Sequence, residues 1–250
     1  MIQFPFFRKN DKPSGAGVPF DIFEIGNEDP FFLEKFKGLR SMVEQKVDLH
    51  QMKLLGITSS IAGEGKTLCS ANLGRSLAST GRKRILLVDM DIRKSELTRG
   101  MNARRTPGLT EHLLGGATLE QILRPTRFPN LSLVTSGMEV SSPADLLAGE
   151  SFKSLLREIR ELYDVILLDT PPVLPVADTP TIRDLADGFL LVYRVGFTPI
   201  ALLRQAIEEL GEKYLIGAVL NRVETASPGY YQKYYGSYYY NKPSQEGPIG

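Results

Sequence analysis

The sequence predicts an α/β fold in a single domain, with a mostly parallel central sheet and helices on both faces. Short apolar runs rich in Val, Ile and Leu alternate along the chain with longer segments at helical spacing. Two runs, RILLVD at 84–89 and DVILLD at 164–169, are almost wholly apolar up to their closing Asp, as strands buried on both faces must be. Hydrophobic residues make up 42% of the 250 and charged residues 24%, enough for one sizeable core. This excludes a wholly disordered chain, a collagen-like repeat and a disulfide-stapled miniature.

Residues 1–30 mix Phe, Pro, Gly and charges without a period, so an irregular leader is expected there. Its aromatics (Phe4, Phe6, Phe7, Phe20, Phe23) are numerous enough for some to dock on the domain. Phe32, Leu33, Phe36, Leu39, Met42 and Val43 follow helical spacing and predict an amphipathic helix over 31–46. KLLGIT at 53–58 reads as a strand, followed by a Gly-rich turn and a helix over 67–79 that Gly81 stops. After the strand at 84–89 comes a helical, loop-rich stretch over 95–123, punctuated by Gly108, Gly115 and Gly116. A strand at 131–135 follows, then a short helix opened by Ser142 and Pro143, and another helix over 151–162. The strand at 164–169 ends at Pro171 and Pro172; a strand at 188–195, a helix over 199–210 and a strand at 214–220 complete the pattern. Parallel strands of this kind require right-handed crossover helices. The domain is therefore expected over 31–223. From 224 onward Tyr, Gly, Pro and Ser dominate and no aliphatic core residue appears until Ile249, so a disordered tail is expected.

The single cysteine, Cys69, has no partner for an internal bridge, which suits a reducing compartment. A net charge of +1 gives no general attraction to nucleic acid or anionic lipid. The start MIQFPFFRKNDKPSG lacks a signal-peptide core, and no apolar run approaches the ~18 residues of a membrane span. A soluble intracellular protein is expected, with no nucleic-acid partner.

The segment from Ser60 to Thr67, SIAGEGKT, falls between a strand and a helix, the context a P-loop requires. In such a loop backbone amides point at phosphate oxygens, and glycines let the chain approach closely. The expected nucleotide contacts are Ala62, Gly63, Glu64, Gly65, Lys66, Thr67 and Leu68. Lys66 would neutralise β/γ charge, and Thr67 would place its hydroxyl on magnesium. Ser60 stands where the usual pattern begins with Gly, so the strict motif fails by one residue. An ordinary Gly-rich turn before a helix is the plain alternative.

Asp89 and Asp91 stand at the end of one apolar run, two apart, and are expected to project to one side. Asp169 closes VILLD, as the acidic residue of a Walker B strand does. Each alone reads equally as a strand-end turn residue. Three carboxylates beside a triphosphate would repel its γ-phosphate unless a cation were present, so Mg²⁺ is implied along with ATP. Thr67, Asp91 and Asp169 are the expected metal-holding set.

The order of these motifs resembles the MinD/ParA-like branch of P-loop NTPases, although Ile61 occupies the position of that branch's signature lysine. The doublet DxDxR (Asp89, Asp91, Arg93), the DTPPV after the Walker B strand and a terminal tyrosine cluster are more specific. On these the sequence looks like a bacterial tyrosine kinase (BY-kinase) of capsule and exopolysaccharide assembly, over about 31–222 plus the tail. The resemblance implies transfer of the γ-phosphoryl of ATP to tyrosine, with Lys66, Asp89, Asp91 and Asp169 as the catalytic group. Asp89 would orient or deprotonate the phenol. Of the ten tyrosines, seven lie in the tail and are the expected acceptors: Tyr230, Tyr231, Tyr234, Tyr235, Tyr238, Tyr239 and Tyr240. Without a nucleotide site, such a cluster would read as an aromatic low-complexity tail.

Glu34, Lys37 and Arg40 match the family's ExxRxxR assembly helix, with Lys in place of the first Arg. A solvated helix face is the alternative reading. SSPADLL at 141–147 resembles the family's NPAELL, with Ser142 where Asn is usual. LNRV at 220–223 falls where relatives read adenine, which implicates Asn221 and Arg222; a turn cap is the alternative for Asn221. The resemblance further implies a homo-oligomeric ring and a cognate tyrosine phosphatase. It also implies a membrane-anchored activator (a chain-length-determinant protein) that recruits the chain from the cytoplasm to the inner face of the membrane. The Phe-rich leader and the edge near 93–105 are both open as its docking place. A MinD/ParA-like ATPase switch and a nucleotide-sensing scaffold are the competing functions.

Overall fold

The computed structural model describes residues 2–5, 21–27, 29–176 and 178–223. Eight strands form one sheet: β1 (Ile2–Pro5), β2 (Leu54–Ser59), β3 (Ile85–Asp89), β4 (Leu123–Pro125), β5 (Leu131–Val134), β6 (Val165–Asp169), β7 (Gly188–Arg194) and β8 (Leu215–Val223). Their order across the sheet is β1-β8-β7-β2-β6-β3-β5-β4. Every pairing is parallel except that of β4 with β5. β2, β3 and β6 are buried along their whole length. That explains the unbroken apolar runs, since helices cover both faces of the central strands. β4 ends in Pro125, which the sheet tolerates because this strand forms its edge.

One face carries α1 (Pro30–His50) and α2 (Lys66–Ala78). There Phe32, Phe36, Leu39 and Val43 pack with Leu73 and Leu77 onto Leu55, Leu87 and Leu167. The expected helix over 31–46 starts one residue earlier, at Pro30. Asp29 caps it by accepting from the Phe31 amide, and it runs on until Gln51 turns left-handed at φ 53°. The other face carries α7 (Glu150–Leu162) and α9 (Ile200–Leu210), with Phe152, Leu155, Ile159 and Leu210 packed onto Leu86, Ile166 and Phe189. Shorter helices fill the connections: α3 (Glu96–Gly100), α4 (Leu109–Leu113), α5 (Leu119–Ile122), α6 (Pro143–Ala148) and α8 (Asp178–Ile182). No helix of the described residues is long and apolar enough to cross a membrane.

The leader departs from the expectation of no regular structure. Ile2–Pro5 forms β1, with Ile2 opposite Val219 and Gln3 opposite Leu220. A single added edge strand is specified by backbone pairing with β8 and needs no side-chain period to announce it. Further along, Ile22 and Phe23 are buried, and the Phe23 ring meets Phe128 edge-on at 4.7 Å, so part of the leader docks as expected.

Candidate active site

β2 delivers the chain at Ser59 to a loop that returns at Lys66 as the first residue of α2. Gly63 and Gly65 adopt φ of 87° and 96°, a region that favours glycine. Side chains brace the loop from outside. Glu64 accepts from the Ile61 amide at 2.8 Å and from the Thr198 hydroxyl, and its backbone carbonyl accepts from Asn221 Nδ2 at 2.8 Å. Burial pushes the Glu64 carboxyl upward, against the opposing pull of Thr198 and the loop amides. The loop is thus tied to the ends of β7 and β8 before any ligand arrives.

Lys66 Nζ donates to Asp91 Oδ2 at 3.1 Å and lies 3.8 Å from Asp169 Oδ2 and 3.2 Å from Thr67 Oγ1. Burial alone would lower the pKa of this ammonium, but Asp169 and Asp91 outweigh it and hold the group at about 12. Asp169, fully buried at the end of β6, accepts from Ser70 Oγ at 2.8 Å, while its Oδ2 has no hydrogen-bond partner. Burial raises its pKa, and Lys66 works against that rise. Four expected residues (Lys66, Thr67, Asp91 and Asp169) therefore do converge at the start of α2.

Asp89 is brought to the same place but turned inward. It sits opposite Asp169 in the β3–β6 register and has no exposed surface. Its Oδ2 accepts from Thr98 N at 2.9 Å and Thr98 Oγ1 at 2.5 Å, and its Oδ1 from Asp91 N at 3.2 Å. Burial, then repulsion from Asp169, push its carboxyl up to about 7. β3 ends at Asp89, so Asp91 lies in the loop beyond it, and the two carboxylates are linked through the Asp91 amide. Asp89 thereby fastens the Asp91 loop to Thr98 in α3 and is as deeply buried as Asp169.

Asn221 and Arg222 follow from the last strand as expected, but the Asn221 amide is already engaged at both ends. Its Nδ2 donates to Glu64, and its Oδ1 accepts from Arg222 N at 2.9 Å. A bidentate contact with adenine is not available while this clasp holds. Ala62 and Gly63 lie exposed on the loop, and Leu68 packs toward the α1-side core. Of the assembly triad, Glu34 and Lys37 pair with each other at 3.1 Å on the exposed face of α1. Arg40 turns away and donates to the Ser76 carbonyl at 3.1 Å, lacing α1 to α2 within the chain. The acceptors Tyr230, Tyr231, Tyr234, Tyr235, Tyr238, Tyr239 and Tyr240 lie outside the described residues.

One residue escaped the sequence reading. Asp178 is 1% exposed, its Oδ2 lies 3.5 Å from Arg93 Nε, and neither of its oxygens has a hydrogen-bond partner. Burial raises its pKa, and Arg93 opposes the rise. Arg93 stood in the DxDxR signature, but nothing in the sequence around Asp178 marks it as the partner. The signal is purely spatial.

A strand, a glycine loop and a helix that opens on lysine and threonine, flanked by carboxylates from the ends of β6 and β3, define a P-loop nucleoside-triphosphatase fold. The AAA domain family matches residues 52–208. The chain is 35% identical over 228 residues to the tyrosine-protein kinase YwqD of Bacillus subtilis, covering 90% of this chain and 95% of that protein. It is 32% identical to the tyrosine-protein kinase ptk of Acinetobacter johnsonii, covering 84% of this chain but 29% of that longer protein. The kinase domain of the Escherichia coli tyrosine kinase ETK shares the fold, with a TM-score of 0.81 over 90% of this chain and 91% of that one, at 22% identity. The chain belongs to the bacterial tyrosine kinase family.

Proposed function

We propose that this chain uses Mg-ATP to phosphorylate the tyrosines of its own C-terminal cluster and so regulates capsule or exopolysaccharide synthesis and export. The observation that carries the reading is the meeting of Lys66, Thr67, Asp91 and Asp169 at the N-terminus of α2. The residues fit a magnesium nucleotide. A buried carboxylate oxygen of Asp169 has no hydrogen-bond partner, and the Thr67 hydroxyl stands beside the same lysine. Among the described residues no three His, Cys, Asp or Glu side chains form a metal cage of their own. Magnesium in phosphoryl-transfer sites takes one or two carboxylates and completes its shell with substrate phosphates and water. Thr67, Asp91 and Asp169 would hold it, and when bound it neutralises charge on the transferring phosphoryl group.

The chain's own residues supply the rest. Loop amides and the α2 N-terminus bind the phosphates. Lys66 leaves Asp91 for the β/γ oxygens, exchanging one anionic partner for another. The phenol oxygen bonds to the γ-phosphorus as the bridging β–γ oxygen departs with ADP. A free phenol titrates near 10, so its proton leaves late, once the new bond has formed, and passes to an oxygen of the phosphoryl group or to water. Asp89 serves by fixing the loop that carries Asp91.

Within this reading the partners are those the family resemblance implies: further copies in a ring, a membrane-anchored activator that brings the chain to the membrane, and a tyrosine phosphatase. The exposed Glu34 and Lys37 are the members of the assembly motif free to face another copy. Incubation with γ-labelled ATP tests the proposal. Label on tyrosine is expected, whereas free phosphate with an unlabelled protein would make the chain an ATPase switch, and binding without turnover a scaffold.

A further inference from the structure

A cavity of about 470 Å³ opens between the segment after α3 and edge strand β4, on the α1/α2 face of the sheet. Arg104, Arg124 and Arg127 line it against a single carboxylate, Asp21. Arg127 is paired with Asp21 and lies 5.6 Å above the Phe23 ring. Arg124 gives one Nη to the Pro107 carbonyl at 2.7 Å, and its buried Nε has no hydrogen-bond partner. Arg104 is exposed and has no partner among the described residues. The remaining wall is apolar at the half-buried Met101 and Leu123, with Phe23 and Leu133 nearly buried behind them, and polar at Asn102, Gln121 and Thr126.

The cavity therefore offers two things at once: an excess of two positive charges and an apolar surface. Guanidinium groups suit phosphate oxygens because their planar forks bind two at a time. An apolar wall suits an aromatic ring, and the volume falls within the ~300–1,000 Å³ of small-ligand sites. An aryl phosphomonoester satisfies both.

We propose that this cavity is a docking site for phosphotyrosine from the chain's own tyrosine cluster, so that the modified tail is retained at a place away from the P-loop. The occupant is argued from charge and from reach. β8 and β4 are six strand positions apart in the sheet, about 29 Å at the usual ~4.8 Å spacing. From Val223 to Tyr240 there are seventeen residues, which extended at ~3.3 Å each span about 56 Å. The tail of the same chain or of a neighbouring copy can therefore reach the cavity. The inference rests on the kinase reading for its ligand, but its test does not.

The test uses synthetic peptides copying residues 228–241, one unmodified and one with phosphotyrosine at Tyr235, titrated into the dephosphorylated full chain with Mg-ADP saturating the P-loop. The phosphopeptide is expected to bind at least about tenfold tighter than its unmodified twin. Arg104→Glu should abolish that difference, and Arg104→Lys should retain part of it, with thermal midpoints and ADP affinity unchanged in both. Equal binding of the two peptides would overturn the proposal. So would full phosphopeptide affinity in Arg104→Glu, or displacement by inorganic phosphate at the concentration the phosphopeptide itself needs. Because the peptide arrives already phosphorylated, failure of the kinase reading would leave this result standing, and failure here would leave the kinase assay untouched.

Discussion

Lys66 Nζ donates to Asp91 Oδ2 across 3.1 Å, with 7% and 4% of the two side chains exposed. The pair joins the first residue of α2 to the loop after β3, and Asp169 stands behind it at 3.8 Å. One buried ammonium thus balances carboxylates that would otherwise repel each other and any incoming phosphate.

Lys66→Met removes that balance. Phosphoryl transfer should fall by at least about 100-fold, the usual cost of losing a charge aimed at the transition state. Thermal stability should also fall, and further at pH 8 than at pH 5, because burial already raises the Asp169 carboxyl and loss of Lys66 lets it relieve the repulsion at low pH by taking up a proton. Melting curves of the variant at the two pH values check this; an equal loss at both would contradict it.

Asp89 gives a pH dependence of definite sign. Its carboxyl is pushed from its ordinary 3.8 to about 7 in the folded chain, so the folded state holds this proton more tightly than the unfolded state. The associated stability is complete below about pH 4 and is lost as pH rises through about 7. The nucleotide-free protein should therefore become less stable between these values, and Asp89→Asn should flatten that slope. Denaturant midpoints measured across the range decide it.

The sheet and its phosphate loop were legible because each rests on local pattern. Ile85–Asp89 and Val165–Asp169 announce themselves as apolar runs, and Lys66 with Thr67 can be read from loop spacing. Contacts made across long sequence separations left no such trace. Asn221 meets Glu64 across 157 residues, Arg93 meets Asp178 across 85, and Arg40 faces Ser76 where the helical pattern permits an outward arginine equally well. β1 was missed for a related reason: an edge strand of four residues is specified by the β8 backbone beside it.

The clasp of Asn221 on the loop predicts a graded pair of variants. Asn221→Ala loses a buried hydrogen bond worth about 1 kcal/mol and should weaken ATP binding several-fold by loosening Glu64. Gly65→Ala is expected to be worse. Its φ is 96°, and the added methyl carbon would stand 2.1 Å from Asn221 Nδ2, so the loop must shift. Calorimetric titration of ATP should rank wild type above Asn221→Ala above Gly65→Ala.

Cys69 should be inert. It is 4% exposed within α2, and burial, with a smaller push from Asp169, raises its thiol well above the usual range. Only the thiolate reacts, so a thiol reagent should label the native chain slowly and the denatured chain at once. Rapid labelling of the folded protein would show that α2 opens.

The proposed reaction joins the site around Lys66 to the chain's own tyrosines. Its most direct test is mass-spectrometric mapping of phosphate on the wild type and on Lys66→Met after incubation with Mg-ATP. Phosphate is expected on tyrosines within 230–240 of the wild type and none on the variant. Equal modification of the variant, or a wild type that hydrolyses ATP while those tyrosines stay bare, would contradict it.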